Sequence, residues 1–173
     1  SALKLLKNEK LDILVRISLF HYLFGYIHPF YDGNGRTSRF ISSYLLSQEL
    51  DNLIGYRISY TIKENIGKYY KAFDTCNHPL NKGDLTPFAE MFLNIIDISI
   101  KQLLSALEKR VSELEHFKSL LEQMLSDETE RVKSLYFILV QAALFSNVGI
   151  TAQELSGYLD ISPNTLRTML KKI

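Results

Sequence analysis

An all-α fold is the expectation for this chain, and three observations predict it. Glycine and proline are scarce, eight and four among 173 residues. Alternating apolar and polar runs, the mark of half-buried strands, are few. Apolar residues instead recur at three- and four-residue intervals along most of the length.

Leu11, Leu14, Ile17, Leu23 and Phe24 trace a first helix that should end near Gly25, a natural terminator. A compact loop, His28 to Gly35, follows. A second helix is expected from about Arg36 to Leu50, with Phe40, Tyr44 and Leu45 on its apolar side and Asp51, Asn52 and Gly55 punctuating it. Glu64 to Phe73 predicts another helix, closing in a loop from Asn77 to Asp84.

Thr86 then suits an N-cap, with Pro87 at the first helical position. The long helix they start continues through Ile100, Leu103, Leu107, Arg110, Leu114, Phe117, Leu121 and Met124. That narrow stripe asks for a partner, either within the chain or across a homodimer seam. Ser126, Asp127 and Glu128 should cap a further helix through about Phe145. Thr151 to Leu155 and Ser162 to Leu166, separated by Gly157 to Ile161, then predict helix, short turn, helix. The chain starts without Met and stops inside this last pattern at Lys171, Lys172 and Ile173, which suggests a piece of a longer protein.

Twenty basic and nineteen acidic side chains leave a formal net charge of +1, which excludes nucleic-acid binding by bulk charge but not by a local face. The solitary Cys76 excludes an internal disulfide and a cysteine-rich zinc site, and it fits a reducing, cytoplasmic compartment. No apolar run is long enough to span a bilayer, so no membrane partner is expected.

Chemistry concentrates in His28-Pro29-Phe30-Tyr31-Asp32-Gly33-Asn34-Gly35-Arg36-Thr37-Ser38-Arg39. Gly33, Asn34 and Gly35 are residue types that let backbone N–H groups converge at a helix start, where orphan donors and the helix dipole attract anions. Arg36 and Arg39 share a helix face and suit successive phosphates. Asp32 is a hard oxygen ligand for a Mg²⁺ that bridges phosphates. Histidine, at position 28, is the residue type best suited to proton abstraction near neutral pH. An EF-hand loop would need an acidic or amide residue at Arg36 and a Glu near Ser43. A Walker A loop would need Gly-Lys-Ser/Thr at its end, and a kinase loop a glycine at Ser38. A plain interhelical turn has no reason to combine all these features.

This stretch resembles the signature of the Fic family, His-Pro-Phe-x-Asp/Glu-Gly-Asn-Gly-Arg-x-x-Arg, with all nine specified positions met. The resemblance implies a Fic-fold helical core (residues 1–100), a long connecting helix (101–126) and a small C-terminal helix-turn-helix, winged-helix-like module (127–173) that is apparently incomplete. It implies a protein adenylyltransferase that moves AMP from ATP to a Thr, Ser or Tyr hydroxyl of a target protein. In that reading His28 deprotonates the hydroxyl, and Asp32 holds Mg²⁺ on the α- and β-phosphates. Gly33, Asn34, Gly35, Arg36, Thr37, Ser38 and Arg39 bind the ATP phosphates, and Phe30 anchors the loop in the core. Tyr69, Tyr70 and Asn77 resemble the segment that closes over the adenine, with Tyr70 stacking and Asn77 contacting the base. Asn77 to Gly83 is longer than in close relatives. Gly35 favours AMP transfer over the Doc-type phosphorylation that a lysine there would signal.

The resemblance also marks what is missing. Fic enzymes align targets with a hairpin flap upstream of the motif, but the residues ahead of Leu11 suggest helix. The inhibitory pattern Ser/Thr-x-x-x-Glu-Gly/Asn is not met, because Met91 follows Thr86 and Glu90, and Arg131 follows Ser126 and Glu130. The C-terminal module resembles the extension of bacterial Fic proteins, and Asn164, Thr165, Arg167 and Lys171 would face outward for DNA contact. The alternative function is therefore a nucleotide-sensing DNA-binding regulator, or transfer or removal of another nucleotidyl group. Of the other histidines, His21 should be a packed core residue, and His78 and His116 solvated ones.

Overall fold

The computed structural model describes residues 2–171, and among these it contains helices but no strand. The all-α expectation is met. The order is α1 (Ala2–Leu6), α2 (Ile13–Ile27), α3 (Asn34–Glu49), α4 (Asn52–Glu64), α5 (Ile66–Asn77), a 3-10 turn (Pro79–Asn81), α6 (Thr86–Met124), α7 (Glu130–Phe145), α8 (Ala152–Tyr158) and α9 (Pro163–Leu170). The residues cluster into two units, Ser1–Leu104 and Ser105–Ile173, with the division inside α6. Ser1, Lys172 and Ile173, the last two expected to prolong the final helix, lie outside the described residues.

In the first unit, Ile17 and Tyr22 of α2, Leu46 of α3, Ile58 and Ile62 of α4, and Phe88, Phe92 and Ile95 of α6 form one buried core. Each such large side chain contributes about 1.5–3 kcal/mol on leaving water. An aromatic cluster ties α2, α5 and α6 together, with Phe73 and Phe88 ring centres 4.6 Å apart and Tyr69 and Phe73 5.1 Å apart.

Several local expectations are corrected. Gly25 does not end α2. It lies inside the helix, where a Cβ would come within 2.9 Å of the Phe73 ring, so it serves close packing. The helix ends instead at His28, whose N–H donates to Phe24 O at 3.1 Å from a left-handed backbone with φ of 50°. Asp51, Asn52 and Gly55 do not break the chain but start α4. Asp51 caps it, accepting from Leu53 N at 2.8 Å, and a Cβ on Gly55 would meet Ser43 O and Ser47 Cβ at 2.7 Å. The missing side chain is what lets α3 and α4 approach. On α3 the buried face is Ser38, Ser42 and Leu46, while Phe40 is 73% exposed and Tyr44 faces water too. At the start of α6, Asp84 rather than Thr86 caps, accepting from Thr86 N at 2.9 Å. Thr129 occupies the N-cap position of α7. Along the later part of α6, Leu107, Leu114 and Leu121 are partly buried, and Phe117 and Met124 are exposed.

In the second unit, Leu135 of α7, Leu155 of α8 and Leu166 of α9 make a small core. Thr151 and Glu154 cap α8 reciprocally, Glu154 N donating to Thr151 Oγ1 at 3.2 Å and Thr151 N to Glu154 Oε2 at 2.8 Å. Ser162 caps α9 with Pro163 at its first position, and Asn164, Thr165, Arg167 and Lys171 are exposed.

Candidate functional site

The twelve-residue loop joins the end of α2 to the start of α3, and its conformation follows from its sequence. Gly33, at φ of 83°, adopts the left-handed backbone that glycine takes without penalty and begins α3. Thr37 N is the first donor to close a helical turn, to Gly33 O at 2.9 Å. The N–H groups of Asn34, Gly35 and Arg36 therefore precede the helical ladder and open at its positive end. Both arginines fold back over the glycines: a Cβ on Gly35 would lie 3.3 Å from Arg39 Nη1, and one on Gly33 would lie 3.8 Å from Arg36 Nη2. Arg36 also pairs with Asp32 at 3.1 Å across exposed surface, and Asp32 Oδ1 accepts from Gly33 N at 2.6 Å. Such an exposed pair is weak and easily exchanged for a stronger anion.

His28 is exposed, and its Nδ1 lies 3.3 Å from Gly25 O. The carbonyl can only accept, so Nδ1 carries a proton, and in the neutral imidazole Nε2 is the atom with the free lone pair. Phe30 does not anchor the loop, being 52% exposed with its ring only edging Phe24 at 6.1 Å. Asn34 anchors it instead. Its buried side chain donates from Nδ2 to Phe30 O at 2.6 Å and accepts at Oδ1 from Phe30 N at 2.9 Å. A planar amide can satisfy both backbone groups at once, which a phenyl ring cannot. Thr37 is partly buried, and Ser38 is buried with its hydroxyl on Gly35 O at 3.2 Å.

Beneath the loop lies a buried polar chain from three helices. His21 Nδ1 meets Ser42 Oγ at 2.8 Å and His21 Nε2 meets Tyr69 OH at 2.8 Å. Burial, helped by the nearby Arg39 charge, pushes the His21 imidazole down to about 3, so it stays neutral. Burial pushes the Tyr69 hydroxyl up to about 12 against the pull of Arg39, so it keeps its proton beside His21. Tyr69 thus belongs to the core, 4% exposed, while its neighbour Tyr70 is 58% exposed. Asn77 ends α5 at the surface, and its Oδ1 accepts from Tyr22 OH at 2.6 Å. His78 and His116 are exposed, as expected, and Cys76 is buried.

Residues 1–46, which contain this loop, match the Fic/DOC family. The chain is a Fic-domain protein. It is similar to "Protein adenylyltransferase Fic" of Aedes aegypti, 35% identical over 103 residues, which is 60% of this chain and 18% of that protein. "Protein adenylyltransferase fic-1" of Caenorhabditis elegans is 29% identical over 98 residues, covering 57% and 18%. "Protein adenylyltransferase Fic" of Drosophila melanogaster is 31% identical over 118 residues, covering 68% and 21%. The chain thus spans about a fifth of the length of these curated relatives. All three are animal proteins, and they do not support the bacterial origin expected from the C-terminal helices. No solved structure matches the chain.

The Fic loop brings His28, Asp32, the glycine nest, Arg36 and Arg39 together, while Tyr69 points into the core. Asp32 is a single exposed carboxylate beside the nest. That fits a Mg²⁺ whose remaining ligands are phosphate oxygens and water, which is how this ion is usually held. Among the described residues no cluster of three His, Cys, Asp or Glu side chains could form a protein-only cage. An open groove of about 590 Å³ runs from Arg36 and Arg39 past Phe40 and Tyr44 to Tyr56. The roles of Asn34 as clamp and Tyr22 as partner of Asn77 were not visible in the sequence. Asn34 lies inside the motif, where its glycine neighbours suggested a backbone role. Tyr22 and Asn77 are 55 residues apart. No described helix is long and apolar enough to cross a membrane.

Proposed function

We propose that this chain is the catalytic core of a protein adenylyltransferase, taking ATP as donor and a protein Ser, Thr or Tyr hydroxyl as acceptor. The observation that carries it is the N-terminus of α3. Three backbone donors open there beside the Arg36 and Arg39 guanidinium groups, with the free Nε2 of His28 immediately upstream. Phosphoryl-type transfer depends mostly on positioning and charge stabilisation, which is what such a nest supplies. The names of the animal relatives support the same reaction.

His28 Nε2 takes the proton of the target hydroxyl, whose oxygen forms a bond to the α-phosphorus. The bond between that phosphorus and the bridging oxygen breaks, and pyrophosphate leaves with the electron pair. Arg36 and Arg39 hold the β- and γ-phosphates, and the α3 N–H groups hold the phosphate oxygens. Asp32 is the carboxylate that would hold Mg²⁺, which neutralises phosphate charge when bound. Tyr70, exposed on α5, and Asn77 at its end would face the base.

The test is incubation of the chain and its His28→Ala variant with α-labelled ATP, Mg²⁺ and a cell extract. Label should enter protein with the intact chain and fall by about 10²–10⁴-fold with His28→Ala, the usual worth of a general base. Nucleotide binding by the variant should persist. Entry of γ-label without α-label would mean phosphorylation and would overturn the proposal.

A further inference from the structure

The contact between Tyr22 and Asn77 joins two helices at a point that the reaction chemistry does not explain. Tyr22 is buried at 4% exposure, its ring stacked on Phe73 at 5.3 Å and packed on Phe88 at 5.2 Å. The ring cannot swing, so the position of its hydroxyl is set by the core. That hydroxyl reaches Asn77 Oδ1 at 2.6 Å. Asn77 itself is exposed at the last residue of α5.

We propose that Tyr22 is a positioning residue for nucleobase specificity: it locks the Asn77 amide with its NH₂ outward, so that the site offers a donor to a purine ring nitrogen. The inference rests on the nucleotide reading above, with Asn77 at the base. A free primary amide can present either its oxygen or its nitrogen, and the two read opposite chemistries. Among the described residues the Tyr22 proton has no other hydrogen-bonded acceptor, so turning the amide would orphan a buried O–H. Burial also pushes the Tyr22 hydroxyl up, with smaller contributions from Cys76 and Tyr26, so the phenol keeps its proton at neutral pH.

The placement fits a nucleoside. Tyr22 lies six residues before His28, about 9 Å along the α2 axis at helical rise. That is about the span from a base edge to the first phosphate. Adenine's ring nitrogens outside the glycosidic one are all acceptors, matching an outward NH₂. Guanine carries an N–H on its pairing edge, where two donors would oppose each other.

The experiment compares the chain with its Tyr22→Phe and Asn77→Asp variants in binding ATP, deaza-ATP analogues that each lack one ring nitrogen, and base-free ribose triphosphate. Tyr22→Phe keeps the ring packing and removes only the hydroxyl. The unmodified chain should bind one deaza analogue about three- to ten-fold more weakly than ATP, the range for one net hydrogen bond. In Tyr22→Phe that difference should vanish, with KM for ATP raised, kcat kept and ribose triphosphate binding unchanged. Asn77→Asp, which keeps an acceptor for Tyr22 but loses the donor, should lose the discrimination too, and it serves if Tyr22→Phe folds poorly. Retention of analogue discrimination by either folded variant overturns the role of Tyr22, and so does an unmodified chain that binds every deaza analogue like ATP. If neither ATP nor ribose triphosphate binds the unmodified chain, the nucleotide reading fails and this inference with it.

Discussion

His28 pays a conformational penalty for its place. It closes α2 in the left-handed backbone region, with φ of 50° and ψ of 58°, where side chains with a Cβ are disfavoured by about 1–2 kcal/mol. Residues held there tend to cluster at functional sites. His28→Gly should therefore be more stable than His28→Ala by about 1 kcal/mol, read by denaturant midpoints, while both lose transfer. Equal midpoints would mean that the turn carries no such strain. His21 makes a different prediction. Its folded pKa of about 3 lies below the value near 6.5 of an unfolded histidine, so the unfolded chain binds the extra proton. The stabilisation is complete above pH 6.5 and is lost as pH falls towards 3. Between pH 7 and pH 5 this group alone should cost about 2 kcal/mol. A His21→Gln variant, compared by urea titration at both values, should show a pH dependence smaller by that amount.

At the scale of elements, the seam between α3 and α4 is the most demanding contact of the first unit. Ser43 Oγ and Ser59 Oγ lie 3.4 Å apart across it, and Gly55 sits against Ser43 O. Gly→Ala within a helix ordinarily gains up to about 1 kcal/mol of propensity. Here the new Cβ would stand 2.7 Å from a backbone carbonyl that cannot step aside without moving α3. The clash should win, at about 1–3 kcal/mol destabilising. Because α3 starts at the Fic loop, Gly55→Ala should also weaken ATP binding, whereas Gly67→Ala on α5, with open space around it, should not. Thermal melts and calorimetric titration of the two variants separate these outcomes.

For the whole molecule, each unit has its own buried cluster, and the second rests on few residues. Among the described residues its buried apolar side chains are Leu135, Leu155 and Leu166, against a larger core in the first unit. Leu135→Ala should cost about 2–5 kcal/mol. That is enough to unfold a small cluster while leaving ATP binding by the first unit unchanged. Amide exchange should show loss of protection confined to α7, α8 and α9, with the Fic loop and α2 to α5 protected as before. Loss of protection in α2 as well would show that the two clusters fold as one.

The sequence by itself determined what is local. Twelve consecutive residues carry the Fic loop, and Thr151, Ser162 and Pro163 mark helix starts, because caps and motif spacing act over one or two turns. His28, Asp32 and the two arginines were legible as neighbours at one helix start for that reason. Only the tertiary structure decided what depends on a neighbour. Gly55 looked like a break and proved a contact point, because α3 lies against it. Phe30 looked like an anchor, but the Asn34 amide could satisfy two backbone groups that the ring could not. Tyr69 and Tyr70 are adjacent in sequence, yet the helix turns one to His21 and the other to solvent. Burial and pairing are properties of surfaces that meet from distant parts of the chain, and no local pattern encodes them.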